Sequence, residues 1–222
     1  MEPIITTPRL QLTLVTAAER GSPEFEWIHE LRSNEQSSWW SLYGASKTHE
    51  DTENALKNIL QVVQKDGEER TYRIAYAVHE LLEDATESSE RRTRFIGLIT
   101  LRSLSDAETT SLPRLGHGST PTTLSLEIAY MFLPVSWGRG FATESILAMF
   151  DACARVSETF WTPYEKVYVR AIVNDENEPS QRVMEKCGMN EPEVLEFEGG
   201  RFFIAGKWRS QHRLFVYGKH LV

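Results

Sequence analysis

The chain has 222 residues, of which 41% are hydrophobic and 25% charged, and its formal net charge is −8. This length and composition predict one globular domain over residues 1–222. The negative charge argues against broad nucleic-acid binding, which needs a basic face. No apolar run approaches the roughly 20 residues of a membrane-spanning helix, and the N-terminus lacks a signal-peptide pattern. We therefore expect a cytoplasmic protein without nucleic-acid or membrane partners.

Cysteine and histidine spacing gives no support to metal or redox chemistry. Cys153 and Cys187 form no CxxC pair, and the six histidines show no HxH or HExxH spacing. Structural metal sites depend on such clusters of ligands. We predict no metal site and interpret both cysteines as small, buried, apolar residues.

The strand and helix patterns predict the fold class. Strand-like runs occur at residues 10–15, 72–80, 95–101, 124–133, 167–173, 202–205 and 214–217. Helical patterns cover residues 25–31, 52–63, 142–156 and 180–187, the first preceded by Ser22-Pro23 and the last followed by Gly188. Three strands follow one another mid-chain without a helix. This order predicts an α/β (α+β) domain with a mixed, largely antiparallel sheet of about seven strands flanked by helices.

Two stretches interrupt this pattern. Residues 82–92 are charged, which predicts a solvated hairpin extension, and residues 103–123 are rich in Ser, Thr, Gly and Pro. The second stretch is longer than an ordinary turn, and loops of that length are usually functional or mobile.

The most informative segment is residues 127–144, where a strand leads to a proline, two glycines and the start of an amphipathic helix. Gly138 and Gly140 permit tight backbone conformations that leave N–H groups exposed. Together with the positive end of the following helix, these amides form a site for an anion such as a pyrophosphate. The spacing lacks the lysine of a P-loop and the third small residue of a dinucleotide fingerprint.

Three strings of the sequence stand out: W-G-R-G-F-A from Trp137, T-P-R-L-Q-L from Thr7 and N-E-P-S-Q-R-V-M-E-K-C-G-M from Asn177. They resemble motifs of the GNAT superfamily of N-acetyltransferases, in its ribosomal-protein N-terminal acetyltransferase-like (RimJ/RimL-like) branch. The string from Trp137, W-G-R-G-F-A, is similar to the Q/R-x-x-G-x-G/A motif, with Trp in place of Gln or Arg. The string from Thr7, T-P-R-L-Q-L, resembles the T-x-R-L-x-L opening strand of the branch. The string from Asn177, N-E-P-S-Q-R-V-M-E-K-C-G-M, resembles its N-x-x-S-x-x-V-x-E-K-x-G-F element. The resemblance covers nearly the whole chain in the family's order.

The resemblance implies a GNAT-like fold and acetyl-CoA as cosubstrate, with an amine attacking its thioester directly. It implies that the pantetheine arm pairs with the backbone at Met131 and Leu133 and contacts Asn177 and Ser180 on its other side. Capping of the last predicted helix is the alternative role for Asn177 and Ser180. The implied pyrophosphate site comprises Trp137, Gly138, Arg139, Gly140, Phe141, Ala142 and Thr143.

The resemblance also suggests catalytic residues. Glu127 is the candidate base for removing a proton from the acceptor ammonium, unless an ordered water does so. Its alternative role is that of a strand residue facing solvent or pairing with a neighbouring strand. Many family members place a tyrosine acid seven residues after the asparagine, where this chain has Met184. Ser180, Tyr130 or water therefore protonates the leaving thiolate, or the thiolate leaves unassisted.

The acceptor is expected between the first two helices and the final hairpin. Aromatic residues occur there, and each has packing as its alternative role: Trp39, Trp40, Tyr43, Phe202, Phe203 and Trp208. The predicted function is N-acetylation of a primary amine, either a protein N-terminus or a small amine, by a monomer or homodimer. The alternative is a non-catalytic acyl-CoA-binding or scaffold protein of the same fold.

Overall fold

A computed structural model describes residues 1–60, 71–82, 92–105, 108, 122–189 and 192–222. Within these residues the chain forms an eight-stranded sheet in the order β1-β2-β3-β4-β5-β6-β8-β7. The strands are β1 (Ile4–Thr6), β2 (Leu10–Leu14), β3 (Arg73–Leu81), β4 (Thr93–Ser103), β5 (Thr123–Phe132), β6 (Lys166–Asn174), β7 (Glu193–Ile204) and β8 (Lys207–His220). Neighbouring strands pair antiparallel, except that β5 and β6 pair in parallel.

The described residues also form four α-helices: α1 (Pro23–Ser33), α2 (His49–Ile59), α3 (Phe141–Arg155) and α4 (Glu178–Lys186). Ser22 caps α1 by accepting a hydrogen bond from the backbone N–H of Phe25, as the Ser-Pro pair predicts. A capping box between Thr48 and Asp51 starts α2 at His49, three residues before its predicted beginning. Gly188 follows α4 with a φ of 68°, the left-handed conformation expected after a helix.

The predicted mixed, largely antiparallel sheet is confirmed, and it has one strand more than predicted. The missed strand, β1, has only three residues, too few for an alternating pattern to be visible. Strands β7 and β8 are also longer than their predicted segments, because polar and charged residues extend them into a long hairpin. Residues 61–63 of the second predicted helix, and most of the stretches 82–92 and 103–123, lie outside the described residues.

Each face of the sheet carries its own hydrophobic core. Helices α3 and α4 cover one face with side chains such as Phe141, Met149 and Met184. Helix α1 covers the other face through Phe25, Ile28 and Leu31, with α2 beside it. Both cysteines are free and buried, as predicted, and burial raises the pKa of the Cys187 thiol to about 11. In the described part of the chain, no helix has the length and hydrophobicity needed to span a membrane.

Candidate active site

The candidate site is a cleft that opens where β5 and β6 separate. The two strands pair only over the first half of β5, with Glu127 opposite Arg170 as the last pair. Beyond it, β5 pairs with β4 and β6 pairs with β8. A cleft of about 940 Å³ lies between the diverging ends and is bordered by α3, α4 and the segment after α1. Its position at the end of parallel strands is typical of ligand sites in α/β proteins.

The register of β5 decides which backbone groups face this cleft. Leu133 N–H donates to the Ile96 carbonyl at 2.8 Å, and Leu104 N–H donates to the Ser125 carbonyl at 3.0 Å. Because antiparallel strands alternate their hydrogen-bonding direction, odd-numbered residues of β5 therefore bond β4. The backbone groups of the even-numbered residues point away from β4. The Glu127–Arg170 pair with β6 uses the N–H of Ile128, so the Ile128 carbonyl and the backbone groups of Tyr130 face the cleft.

This parity corrects the predicted backbone pairing of a pantetheine arm at Met131 and Leu133. The amide of Leu133 is bonded to β4, and the ladder uses the backbone of Met131 in the same way. The side chain of Met131 borders the cleft, whereas Leu133 is buried and does not. The predicted positions were shifted by one residue, because the direction of a strand's N–H and C=O groups is set by its pairing with neighbouring strands rather than by its own sequence.

The glycine segment (residues 138–143) forms one wall of the cleft. Gly138 and Gly140 have φ values of 71° and 79°, in the left-handed region that glycine adopts without strain. Gly140 is the N-cap of α3, and among the described residues no side chain caps this helix. The first backbone N–H groups of α3 are therefore available to a ligand at the positive end of the helix dipole. Such a helix start can hold a phosphate or pyrophosphate.

Five of the predicted cofactor residues in this segment border the cleft, and a sixth, Arg139, does not. The bordering residues are Gly138, Gly140, Phe141, Ala142 and Thr143, with Trp137 beside them. Arg139 Nη2 instead lies 2.5 Å from Glu80 Oε1 on β3. The Arg139 side chain thus anchors the segment to the sheet, and the predicted contact of the Arg139 backbone amide with a pyrophosphate stays a prediction. Trp137 Nε1 donates to the Phe132 carbonyl at 2.8 Å, so this indole fixes the end of β5.

Glu80 holds two arginines, Arg139 and Arg94. Burial raises the pKa of the Glu80 carboxyl, but hydrogen bonds from Arg139 and Arg94 outweigh that effect and leave the pKa below its usual value. The carboxylate is therefore charged at neutral pH. No local sequence pattern indicates this role, because Glu80 lies 59 residues before its partner in the glycine segment.

The start of α4 faces the strand β5 across the cleft. Asn177 is the N-cap of α4 and accepts a hydrogen bond from Ser180 N–H at 3.3 Å. The hydroxyls of Ser180 and Tyr130 are 2.6 Å apart. Burial raises the pKa of Tyr130 to about 12, so its hydroxyl stays protonated at neutral pH. Met184, which stands at the family's usual tyrosine position, is fully buried in the core.

Glu127 borders the cleft at the point where β5 and β6 separate. Its Oε1 accepts a hydrogen bond from Arg102 Nη2 at 2.9 Å, and its Oε2 accepts one from Arg170 Nε at 3.0 Å. Arg170 is only 5% exposed. The carboxylate thus pairs with both neighbouring strands, the geometry of its alternative predicted role.

The mouth of the cleft is formed by the segment after α1. Gln36, Ser37, Trp39 and Trp40 border the cleft. The Trp39 carbonyl accepts a hydrogen bond from Ala205 N–H at 3.0 Å, so this segment touches the turn of the β7–β8 hairpin. Phe203 and Trp208 are exposed on that hairpin and do not border the cleft. The side chain of Phe202 lies outside the described residues.

Sequence reasoning missed the basic side chains of the cleft. Arg182 and Lys186 border it on α4 together with Val183. Helical spacing in steps of three from Ser180, which had been predicted as a site residue, leads to Val183 and then to Lys186, because residues three and four apart lie next to each other on a helix face.

A comparison with protein families identifies the family to which the chain belongs. A family model described as "Acetyltransferase (GNAT) domain" matches residues 9–190, which is most of the chain. The chain belongs to the GNAT acetyltransferase family. It is therefore an acetyltransferase, and acetyl-CoA is the cosubstrate of its family, which confirms the predicted family, enzyme class and cosubstrate.

Solved structures confirm the GNAT fold over the full length. A GNAT-family acetyltransferase from Bacillus anthracis is 18% identical, with 98% of each chain covered and a TM-score of 0.59. Spermidine N-acetyltransferase from Vibrio cholerae, solved with CoA and spermine, is 21% identical, with 93% of this chain and 95% of that chain covered and a TM-score of 0.54. RimL, a ribosomal L7/L12 α-N-protein acetyltransferase solved with CoA, is 15% identical, with 97% of each chain covered and a TM-score of 0.57. No curated protein matches the sequence significantly.

Proposed function

We propose that this GNAT acetyltransferase transfers the acetyl group of acetyl-CoA to a primary amine, on a protein N-terminus or a small molecule. The observation that carries the proposal is the divergence of β5 from β6 beside an uncapped helix start. The divergence provides a free strand edge for the amide groups of a pantetheine arm, and the helix start provides N–H groups for a pyrophosphate.

The residues on these two walls fit the two parts of the cosubstrate. We assign the pyrophosphate to the backbone of the glycine segment, where Gly138 and Gly140 border the cleft in left-handed backbone conformations. We assign the pantetheine arm to the Ile128 carbonyl and the backbone groups of Tyr130 on one side and to α4 near Asn177 and Ser180 on the other. Acetyl-CoA supplies an acetyl thioester, which an uncharged amine attacks directly.

Two protons must be handled in the transfer. The amine must lose one, and we assign its acceptance to water, because both oxygens of Glu127 already accept hydrogen bonds from guanidinium groups. Glu127 then acts by fixing the divergence of β5 and β6. We assign stabilisation of the departing sulfur to the hydroxyl pair of Tyr130 and Ser180, in which one hydroxyl donates to the other and one proton stays available.

The charged side chains that border the cleft indicate which kind of amine acceptor it can bind. Structural neighbours include enzymes named for a polyamine, spermidine, and for a protein α-amine. Among the described residues that border this cleft, Glu127 is the one acidic side chain, and it is paired with two arginines. A polyamine needs several negative partners, so this charge favours an acceptor with a single amine, such as a peptide N-terminus. Trp39 and Trp40 offer aromatic faces to it.

A non-catalytic acyl-CoA-binding protein is the second candidate. The observation in its favour is the buried Met184, which cannot protonate a thiolate. The hydroxyl pair of Tyr130 and Ser180 supplies a proton donor in place of the missing tyrosine.

Calorimetric titration of the folded protein with acetyl-CoA, NAD and ATP tests the binding proposal. We expect binding of acetyl-CoA alone, and no binding of acetyl-CoA by folded protein would overturn it. Turnover is then measured as release of free thiol with a panel of peptides, arylalkylamines and polyamines. Thiol release with peptides is expected, whereas binding without release for every acceptor would favour the non-catalytic candidate.

A further inference from the structure

Two basic residues of α4 border the cleft on one helix face. Arg182 and Lys186 are four residues apart and share this face with Val183, and Ser180 borders the cleft one turn earlier. Both are exposed, and among the described residues they are the only cations that border the cleft. The chain as a whole carries a net charge of −8. Local cations are therefore needed to offset its repulsion of a polyanionic ligand.

The position of α4 places these cations at the phosphate end of the cleft. The helix begins beside Tyr130, which Ser180 contacts, and ends at Cys187, whose Sγ lies 4.0 Å from the Thr143 carbonyl in the glycine segment. With a rise of about 1.5 Å per residue, Lys186 lies roughly 9 Å along the helix axis from Ser180. The cleft face of α4 therefore runs from the hydroxyl pair to the start of α3.

The charge of Lys186 is available to a ligand. Arg182 Nη1 lies 3.2 Å from Glu178 Oε2, and both side chains of this pair are mostly exposed, so the pair contributes little to stability. For Lys186, the described residues show no ion pair and no hydrogen-bonded side-chain partner. A cation without a partner at the edge of a cleft is free to bind an anion.

We propose that Lys186, assisted by Arg182, binds the 3′-phosphate on the ribose of CoA. The proposal rests on the proposed function, because it requires the pyrophosphate to lie on the glycine segment. The adenosine end of CoA then extends beyond that segment, where Lys186 lies. A phosphomonoester carries a charge of about −1.5 to −2 at pH 7. Ammonium and guanidinium groups make strong, charge-assisted hydrogen bonds to such an oxyanion.

Affinities for acetyl-CoA and 3′-dephospho-acetyl-CoA, measured by calorimetry at fixed ionic strength, test the proposal. We expect the wild type to bind acetyl-CoA about tenfold more tightly than the dephospho form, because a charge-assisted hydrogen bond is lost. Lys186→Gln is expected to reduce this ratio to near one and to leave the affinity for the dephospho form unchanged. Arg182→Gln is expected to reduce the ratio less, since Glu178 shares its charge.

Lys166→Gln is the matched control. It removes the same charge from an exposed lysine at the start of β6, which does not border the cleft. Its ratio should equal that of the wild type. Equal affinity of the wild type for both ligands would overturn the 3′-phosphate site alone. The same holds if Lys186→Gln reduces the affinities for both ligands by the same factor. Failure of the folded wild type to bind either ligand would overturn the proposed function as well.

Discussion

Arg9 and Glu144 join the residue before β2 to the first turn of α3. Arg9 Nε donates to Glu144 Oε2 at 2.7 Å, and Arg9 Nη1 donates to the Arg139 carbonyl at 3.0 Å. Thr7 Oγ1 donates to Glu144 Oε1 at 2.6 Å. The opening T-x-R-L string and the glycine segment, about 130 residues apart, are therefore parts of one structure. Their contact holds the glycine segment against the sheet.

Replacing Arg9 by Gln is expected to weaken cosubstrate binding and stability together. The change breaks the pair with Glu144 and the bond to the Arg139 carbonyl, and it removes a cation close to Gly140. We expect a loss of about 1 kcal/mol in the free energy of unfolding, and a Kd for acetyl-CoA that rises several-fold in calorimetry. Arg155→Gln removes the same charge from an exposed pair at the end of α3 and should change neither quantity. An unchanged Kd in the Arg9 variant would show that this contact does not hold the glycine segment.

Gly140→Val should abolish detectable binding of acetyl-CoA. At a φ of 79° a β-branched residue is strained by an energy on the order of 1–3 kcal/mol, and relief of that strain moves the N–H groups that start α3. Calorimetry measures the loss. Gly21→Val is the matched control, since Gly21 has a φ of 89° in the turn before α1 and nothing lies within 4 Å of a Cβ there. Binding by a folded Gly140→Val protein at wild-type affinity would remove the segment from the cosubstrate site.

Glu127→Gln is expected to reduce stability and rate without changing the pH dependence of the rate. The amide keeps the shape of the side chain but loses two charged pairs, one of them to the buried Arg170. We expect a loss of about 2 kcal/mol in the free energy of unfolding, measured by denaturant titration. Glu196→Gln breaks an exposed pair with Arg213 and should have almost no effect. If Glu127 is instead the base, its variant will lose the acidic limb of the pH–rate profile.

Tyr130→Phe should lower kcat by about 10²-fold, the lower end of typical acid–base contributions. The loss should be constant from pH 6 to 10. Burial raises the pKa of Tyr130 to about 12, above its ordinary value near 10. The hydroxyl therefore keeps its proton from pH 6 to 10 and loses it only at higher pH. Thiol release at saturating substrates is the measurement. Tyr43→Phe is the control, because Tyr43 is exposed and, contrary to its expected place at the acceptor site, does not border the cleft. A loss that disappears between pH 8 and 10 would contradict this role.

The elements that the sequence predicted well were those whose signal is local. The Ser22-Pro23 start of α1 and the glycine after α4 carry their own backbone chemistry, and both lie where they were predicted. The strand β1 was missed because three residues show no periodicity. The backbone pairing at Met131 was placed one residue away from Tyr130 because the direction of a strand's N–H and C=O groups depends on the register with β4.

By itself, the sequence determined the family, the cosubstrate and the glycine segment, because these depend on residue types at short, fixed spacings. Only the tertiary structure decided the rest. It turned Arg139 away from the cleft toward Glu80, paired Glu127 with two arginines, and brought Tyr130 to Ser180 from 50 residues away. It also brought the end of α4, at Cys187, against the start of α3, at Thr143. The physical reason is that ion pairs and hydrogen bonds between strands and helices depend on sheet register and helix packing, which no short stretch of sequence encodes.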